Sequence, residues 1–426
     1  MAELIQPVKG MNDVLAAQAP WWNRLEAVAH ELFASYGYER VRLPVLERTE
    51  LFSRSIGELT DIVSKEMFTF DDHGESLTLR PEGTAGVVRA ALSNGLLHNQ
   101  QQKLWLSGPM FRREKPQKGR YRQFHQMSVE ALGFAEAEID AELIALSARL
   151  WRELGLSSMK LELNTIGTAE SRQKYKQVLV EHFSRRRELL DDDSLRRLER
   201  NPLRILDSKN PQLRELIDAA PLLSDYLDAE SRAHFERVRA LLDDVGVGYT
   251  LNPRLVRGLD YYSRTVFEWL TDRLGAQGAI ASGGRYDGLV AQLGGRDTPA
   301  VGWALGIERI VELMQAEGIG AEGAPLDAQL VAAGEAERRF GFRLLEQLRA
   351  RVPGVRVSVG MPSASFKAQL RHADKSGARI ALIVGESELA AGCVSVKPLR
   401  EDKPQQLVTV EECAERLRQT RGASIE

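Results

Sequence analysis

Cysteine is scarce in this chain of 426 residues: only Cys393 and Cys413 occur, with no CxxC pair. Two such residues make no disulfide framework, which fits a reducing compartment and argues against a structural zinc site. The seven histidines lie far apart, without HExxH or HxxxH spacing, so no metalloprotease-type pair is expected. The glycine-dense stretch 282–314 holds no GxGxxG and no GxxxxGK[ST], so no Rossmann or P-loop site is read there. No apolar run reaches the ~20 residues of a membrane span, and the opening MAELIQPVKG has no apolar core of a signal peptide. A cytoplasmic protein is therefore expected. Charge of one sign is also missing: the net charge is −3, so a nucleic-acid partner would have to be held by local patches. No internal repeat or low-complexity segment is evident, and the length suggests about three domains.

What is present centres on 104–133, LWLSGPMFRREKPQKGRYRQFHQMSVEALG. Leu104, Leu106, Met110 and Phe111 mark an apolar strand, KPQKGRY a long hairpin loop, and 122–132 a second strand. In that second strand Phe124, Gln126, Ser128 and Glu130 share one face, and His125, Met127 and Val129 the other. A ring, an amide, a hydroxyl and a carboxylate in a row make a poor core and a good pocket floor. The loop carries Arg112, Arg113, Lys115, Lys118, Arg120 and Arg122 against one acid, Glu114. A solvated basic loop would explain that charge run alone. Beside a polar pocket it suits a polyanion, with nucleotide phosphates near the strands and nucleic acid at the tip.

Around this hairpin the chain reads in order. Residues 18–35 have helical spacing, with Trp22, Leu25, Val28, Ala29 and Leu32 on one stripe and Gly37 placed to end it. YERVRLPVLE follows as a strand with Val41, Leu43 and Val45 on one face, Pro44 requiring an edge or irregular position. MFTFDD and SLTLR form a short hairpin leading into PEGTAGVVRAAL, where Thr84 can cap a helix and Glu82 is either a dipole partner or an acceptor for a ligand ammonium. An amphipathic helix from AEIDAELIALSARLWRELGL and a strand from MKLELNTIG come next. Residues 169–250 read as a separate helical module inserted into a sheet domain. The stretch 250–270 is β-rich and apolar, so Arg257, Asp260 and Arg264 stand out. A buried Arg257–Asp260 pair and an anion site are both open readings there. The segment 282–314 is dense in glycine, allowing close backbone approach, and enters a helix with Ile307, Ile310, Val311 and Met314 inward. Arg309 in its first turns opposes the helix dipole, which a docked phosphate would explain. GAEGAPLD at 320–327 is a linker by composition. Alternating strands and helices after it indicate a small α/β domain, with Arg371, Lys375 and Arg379 as basic points.

Three stretches resemble the signature of class II aminoacyl-tRNA synthetases, in that family's order: RVRLPVLE ending a dimer strand at Pro44, PMFRRE with Phe124 downstream, and GWALGIERI carrying Arg309. LRPEGT, KPQKGRYRQFHQ and LVRGLDYYSRTVFEW are similar to the histidyl-tRNA synthetase family in particular, with Lys115 where that pattern has arginine. The resemblance spans the chain and RGLDYY is its most specific part. It implies an α/β (α+β) architecture: an antiparallel-sheet catalytic core in two parts, 1–168 and 251–320, a helical insertion at 169–250, and an anticodon-binding α/β domain at 327–426.

It also implies roles. Arg112 and Arg257 would flank the ATP α-phosphate, Arg309 would bind the γ-phosphate, Glu114 would help hold adenine and Phe124 would stack on it. Glu82, Thr84 and Gln126 would take the α-amino group of L-histidine. Glu130 and Tyr262 would hold the imidazole nitrogens, with Tyr261 beside them. Gln117 and Arg120 would meet the acceptor end of tRNA(His). ATP, Mg²⁺ and a homodimer follow from the same resemblance, with no metal site built by the protein and no protein nucleophile. A non-catalytic, histidine-sensing regulatory subunit of ATP phosphoribosyltransferase shares this fold. The presence of Arg112, Arg257 and Arg309, and of a full domain over 327–426, favours the enzyme. A synthetase for glycine, proline or threonine is disfavoured by RGLDYY and by Gln126 with Glu130.

Overall fold

The computed structural model describes residues 4–422, apart from 58, 59, 61, 118, 207, 209, 258, 260, 276, 277 and 321–324. Lys118, Asp260 and half of the linker reading thus lie outside the described residues. The chain forms two compact units, Met1–Ala321 and Glu322–Glu426.

The first unit opens with helix α1 (Ala19–Ser35), which buries Leu25, Ala29, Leu32 and Phe33. Gly37, at φ +79°, turns the chain out of it, and the Tyr38 N–H donates back to the Phe33 carbonyl at 3.0 Å. The single strand expected over YERVRLPVLE is instead two: β1 (Glu39–Val41) and β2 (Leu46–Arg48). Pro44 has no N–H for a ladder, and the carbonyls of Leu43 and Pro44 are taken by the buried Arg80 guanidinium at 3.2 and 3.3 Å. After helix α2 (Thr49–Ile56), β3 (Phe68–Asp72) and β4 (Glu75–Leu79) join β2 in a small sheet of order β2-β4-β3. Helix α3 (Thr84–Ser93) follows.

The hairpin is β5 (Gln102–Phe111) and β6 (Gln123–Leu132), antiparallel from Gln102 opposite Leu132 to Phe111 opposite Gln123. Helix α4 (Ala137–Leu154) and β7 (Lys160–Thr165) lead into four helices: α5 (Ala169–Ser184), α6 (Asp192–Arg200), α7 (Arg214–Asp218) and α8 (Ala229–Asp244). Three of these start on a side-chain cap. Thr168, Asp191 and Asp228 accept the N–H groups of Ser171, Ser194 and Ser231, a spacing visible as T/D-x-x-S. The expected long β segment at 250–270 is β8 (Thr250–Leu251) and β9 (Ser263–Leu270) with an irregular stretch between. Arg257 therefore sits outside any strand, in the bend that follows Pro253. Strand β10 (Ala279–Arg285), the short helix α9 (Leu289–Gln292), β11 (Ala300–Gly306) and helix α10 (Ile307–Ala316) complete the unit.

The main sheet runs β1-β5-β6-β11-β10-β9-β7-β8, antiparallel except at its two outer pairs. One face packs Met127, Val129, Ala131, Trp303 and Phe267 against α1, α4, α8 and α10. Trp151 of α4 meets Trp269 and Trp303 edge-on at ring separations of 6.1 and 6.2 Å. Beneath α4, the fully buried Arg285 donates to both Asp140 oxygens, to Asp287 and to the carbonyls of Phe134 and Glu136. His234 of α8 approaches the same Asp140 at 3.3 Å. The opposite face carries a second core, where Leu104, Leu106, Leu132 and Val266 join Val87, Val88 and Ala91 of α3, and the site lies beside it.

In the second unit, β12 (Ala328–Ala332), β13 (Val357–Ser358), β14 (Ile380–Val384), β15 (Val394–Pro398) and β16 (Gln406–Val408) form a sheet of order β13-β12-β14-β15-β16. Helices α11 (Glu335–Arg351), α12 (Phe366–Lys375), α13 (Glu386–Ala391) and α14 (Val410–Gly422) accompany it. Both β16 and α13 are additions to what the sequence pattern suggested. Among the described residues no helix is long and apolar enough to cross a membrane.

Removing one member of a buried ion pair strands the other without solvent. Asp140→Ala is expected to destabilise the first unit by about 3–5 kcal/mol, read as a lower urea midpoint.

Candidate active site

The polar face of β6 floors a cavity of about 340 Å³ beside the second core. Strand register makes the room. Gly302 of β11 lies opposite Glu130, and Gly306 opposite Gln126. A Cβ on Gly302 would fall 1.7 Å from Glu130 Oε2, so glycine at this position leaves the carboxylate its space. The close approach implied by the glycine-dense segment is, here, an approach to the protein's own acid.

At one end stand carboxylates and phenols. Glu82, expected to sit before a Thr84 cap, is itself the cap of α3. Its Oε2 accepts the Thr84 N–H at 2.7 Å and its Oε1 the Ala85 N–H at 2.8 Å, while Gly83 at the formal cap position has no side chain. Burial raises the Glu82 carboxyl above its ordinary range, partly offset by these two N–H groups and by Arg112. The Thr84 hydroxyl donates 2.6 Å to Glu130 Oε1, and the Tyr286 hydroxyl donates to Glu130 Oε2. Burial pushes Glu130 up to about 8, against the pull of those two hydroxyls. Tyr261, Tyr262 and Tyr286 cluster at ring separations of 4.8, 5.6 and 6.5 Å. Their phenols are raised, chiefly by burial. The amide oxygen of Gln126 is buried with no hydrogen-bond partner. Such an orphaned acceptor costs free energy until a donor arrives.

At the other end stand guanidiniums. Arg257 reaches Glu268 Oε1 at 2.9 Å with its Nε buried and unpartnered. Burial would lower its pKa, but Glu268 more than offsets this and raises it. The partner is Glu268 of β9, and Asp260 lies outside the described residues. Arg112 is held by the Pro81 carbonyl at 2.9 Å and lies 5.2 Å over the Phe124 ring. Arg309 donates to the carbonyls of Gly119 in the hairpin loop and Ala279 in β10. Its pKa is lowered by burial and then by repulsion from Arg120 and Arg112, opposed by Glu114 and Glu268. Cations crowded to the point of mutual repulsion form an anion site. Glu114 lies 3.3 Å from Arg120 and 3.8 Å from Arg112.

The structure thus gathers Glu82, Thr84, Arg112, Glu114, Arg120, Phe124, Gln126, Arg257, Tyr261, Tyr262 and Arg309 around one cavity. Glu130 lies just beneath its floor. Gln117 is exposed on the loop, where its backbone pairs with that of Arg120. Two further residues were not singled out from sequence. Glu268 sits on an alternating strand, FEW, where a lone acid between aromatics was a usable signal. Tyr286 follows the glycine pair in SGGRY, and nothing in that pattern marked its hydroxyl.

A sequence profile described as histidyl-tRNA synthetase matches residues 10–310, and one described as an anticodon binding domain matches residues 328–420. The chain belongs to the histidyl-tRNA synthetase family. It is 54% identical over 420 residues to a histidine–tRNA ligase of Halorhodospira halophila, covering 98% of this chain and 99% of that one. It is also 54% identical over 410 residues to the histidine–tRNA ligase of Hydrogenovibrio crunogenus, covering 96% of each. Among solved structures, apo histidyl-tRNA synthetase of S. aureus superposes with a TM-score of 0.82 at 34% identity, covering 97% of this chain and all of that one. An ATP phosphoribosyltransferase regulatory subunit/histidyl-tRNA synthetase from Bacillus halodurans shares the fold at 22% identity, with a TM-score of 0.64, covering 87% of this chain and 97% of that one. The class II architecture expected from the family's motifs is the one observed.

Glu130 gives the site a pH signature. Its carboxyl rises from 4.5 to about 8 on folding, so its contribution is fully favourable below the lower value and is lost as pH climbs to the upper one. Glu130→Gln, which cannot ionise, is expected to lose less stability than the wild type across that window, as read from Tm against pH.

Proposed function

We infer that this chain is a histidine–tRNA ligase, which uses ATP to activate L-histidine as the adenylate and then transfers it to the 3′ end of tRNA(His). The observation that carries the reading is the division of one cavity into an acidic, hydroxyl-rich end and a guanidinium-rich end. An amino acid and a nucleotide triphosphate laid end to end match that division.

At the acidic end, Glu82, the Thr84 hydroxyl and the orphaned Gln126 oxygen can accept the three N–H bonds of an α-ammonium. Glu130 and Tyr262 offer partners for the two ring nitrogens, with Tyr261 alongside. An imidazole leaves none of these groups unpaired, whereas an apolar side chain would strand them. At the basic end, Phe124 supplies an aromatic face for adenine, and Glu114 a carboxylate for its exocyclic amine. Arg112 and Arg257 flank the place for the α-phosphate, and Arg309 that for the γ-phosphate. The histidine carboxylate attacks the α-phosphorus in line; the bond to the β-phosphate oxygen breaks and pyrophosphate leaves. Negative charge grows on the α-phosphoryl oxygens, and two fixed guanidiniums stabilise it without having to reorganise. Holding both reactants in register removes much of the entropic barrier. The terminal ribose hydroxyl of tRNA then attacks the adenylate carbonyl, releasing AMP, so no protein nucleophile enters. Gln117 and Arg120 on the loop are placed for that acceptor end.

Among the described residues no three metal-binding side chains gather. Mg²⁺ bound to the triphosphate would offset charge on the departing pyrophosphate. The anticodon-binding profile over 328–420 supports tRNA as the second substrate. A cytoplasmic location fits these substrates. A homodimer is supported by the exposed apolar Leu4, Ile5 and Val8 and by the short edge strand β1. The regulatory-subunit reading is disfavoured by the three guanidiniums and by near-complete coverage of ligase relatives.

Amino-acid-dependent ATP–pyrophosphate exchange, run with each of the twenty amino acids without tRNA, tests the reading. Exchange with histidine alone is expected; exchange with another amino acid would overturn the specificity. Arg257→Ala should cost roughly 10²–10³-fold in exchange rate while leaving histidine binding measurable by calorimetry.

A further inference from the structure

The central ladder of the sheet stops short beside the basic end of the cavity, and what closes it there matters for the ligase reading, on which this inference rests. Strands β6 and β11 pair from Leu132 opposite Ala300 to Gln126 opposite Gly306, and at Ile307 the chain leaves the sheet as α10. His125, the next residue of β6, lies beyond that last pair. Its backbone N–H donates to both oxygens of Glu308 at 2.9 and 3.0 Å, and its ring Nδ1 lies 2.8 Å from Oε1. A carboxylate only accepts, so Nδ1 carries the proton. An acid in the first turn of a helix is ordinarily explained by the helix dipole. Here both oxygens are engaged by a residue 183 positions away, and the side chain stands in for the strand carbonyl that α10 takes out of the ladder. Trp22 of α1 meets the His125 ring edge-on at 5.0 Å on the core face of β6.

We propose that Glu308 and His125 are a positioning pair: they set the spacing between the Phe124 ring and the Arg309 guanidinium, and so fit the site to a nucleoside triphosphate over a monophosphate. Each member of the pair is the chain neighbour of one of those two groups. Phe124 precedes His125 on the cavity face of β6, and Arg309 follows Glu308 in the first turn of α10. Arg309 is also steadied by the carbonyls of Gly119 in the hairpin loop and Ala279 in β10, neither of which belongs to β6. The bonds between Glu308 and His125 tie that helix turn directly to the strand carrying Phe124. Without them the start of α10 would be free to shift against β6, and a displacement of about 1 Å between groups that hold one ligand is enough to spoil its alignment. The pair acts through its neighbours: both Glu308 oxygens are given to His125, and the His125 ring faces the core.

Calorimetric titration of the full chain with ATP and with AMP tests the pair, because AMP engages the Phe124 face and lacks the phosphate that Arg309 would hold. Glu308→Ala is expected to weaken ATP binding roughly 10- to 100-fold and AMP binding by no more than about twofold, since bonds to a charged group are lost only where the triphosphate depends on them. Histidine binding, measured alone, should be unchanged. Glu308→Gln keeps an acceptor for the His125 N–H and should recover most of the ATP affinity. His125→Phe keeps a ring against Trp22 and loses Nδ1. It should show the same split between ATP and AMP on a smaller scale, which keeps the test open if Glu308→Ala does not fold. Added to Glu308→Ala it should cost little more, because the two residues act through one contact. Equal weakening of ATP and AMP in these variants, or Glu308→Gln no better than Glu308→Ala, would overturn the proposal and leave the pair a packing feature of the sheet. A wild-type chain that shows no histidine-dependent exchange, but whose variants still split ATP from AMP, would overturn the ligase reading and leave the pair in place.

Discussion

A carboxylate held in the dark of the sheet, with a hydroxyl on each oxygen, is the constraint around which the catalytic unit is arranged. Glu130 is tolerable there only because Thr84 and Tyr286 donate to it and because Gly302 has no side chain to collide with it. Each condition reaches into a different element. Thr84 begins α3, Tyr286 follows β10 and Gly302 lies mid-strand in β11. Fixing one acid therefore fixes the relative placement of three segments far apart in sequence. The same requirement explains why the floor strand has a polar face at all, since burying such a group without partners costs more than most single mutations do.

The division of charge across the cavity follows from the same geometry. Acids at one end are capped by backbone N–H groups and hydroxyls, leaving the guanidiniums to collect at the other. Arg257 is held by Glu268, and Arg112 by the Pro81 carbonyl over the Phe124 ring. Held in this way they stay oriented while retaining donors for a ligand. Arg285 shows the contrasting arrangement: all its donors are spent inside the protein, and its part is to hold the frame still.

Much of this was legible in the sequence, for physical reasons that can be named. Alternation in β6 was readable because a period of two is a property of strands alone. Phe124, Gln126 and Glu130 were thereby assigned to one face before any neighbour was known. The helix of α1 and its glycine stop were readable for similar local reasons. What was not readable depended on partners distant along the chain. The apolar surroundings of Arg257 suggest a strand, but Pro253 and the turn after it set the backbone free of the sheet. Its partner Glu268 is eleven positions away, across that bend. The split of RVRLPVLE into two strands depends on Arg80 claiming the carbonyls beside Pro44. Tyr286 was invisible because tyrosine after a glycine pair has no pattern, and its meaning arises only from the register of three strands.

Arg309 makes one further tie. Its Nε–H is given to the Gly119 carbonyl, so the third-motif helix holds the tip region of the basic hairpin. One guanidinium thus serves both the basic end of the cavity and the loop that borders it.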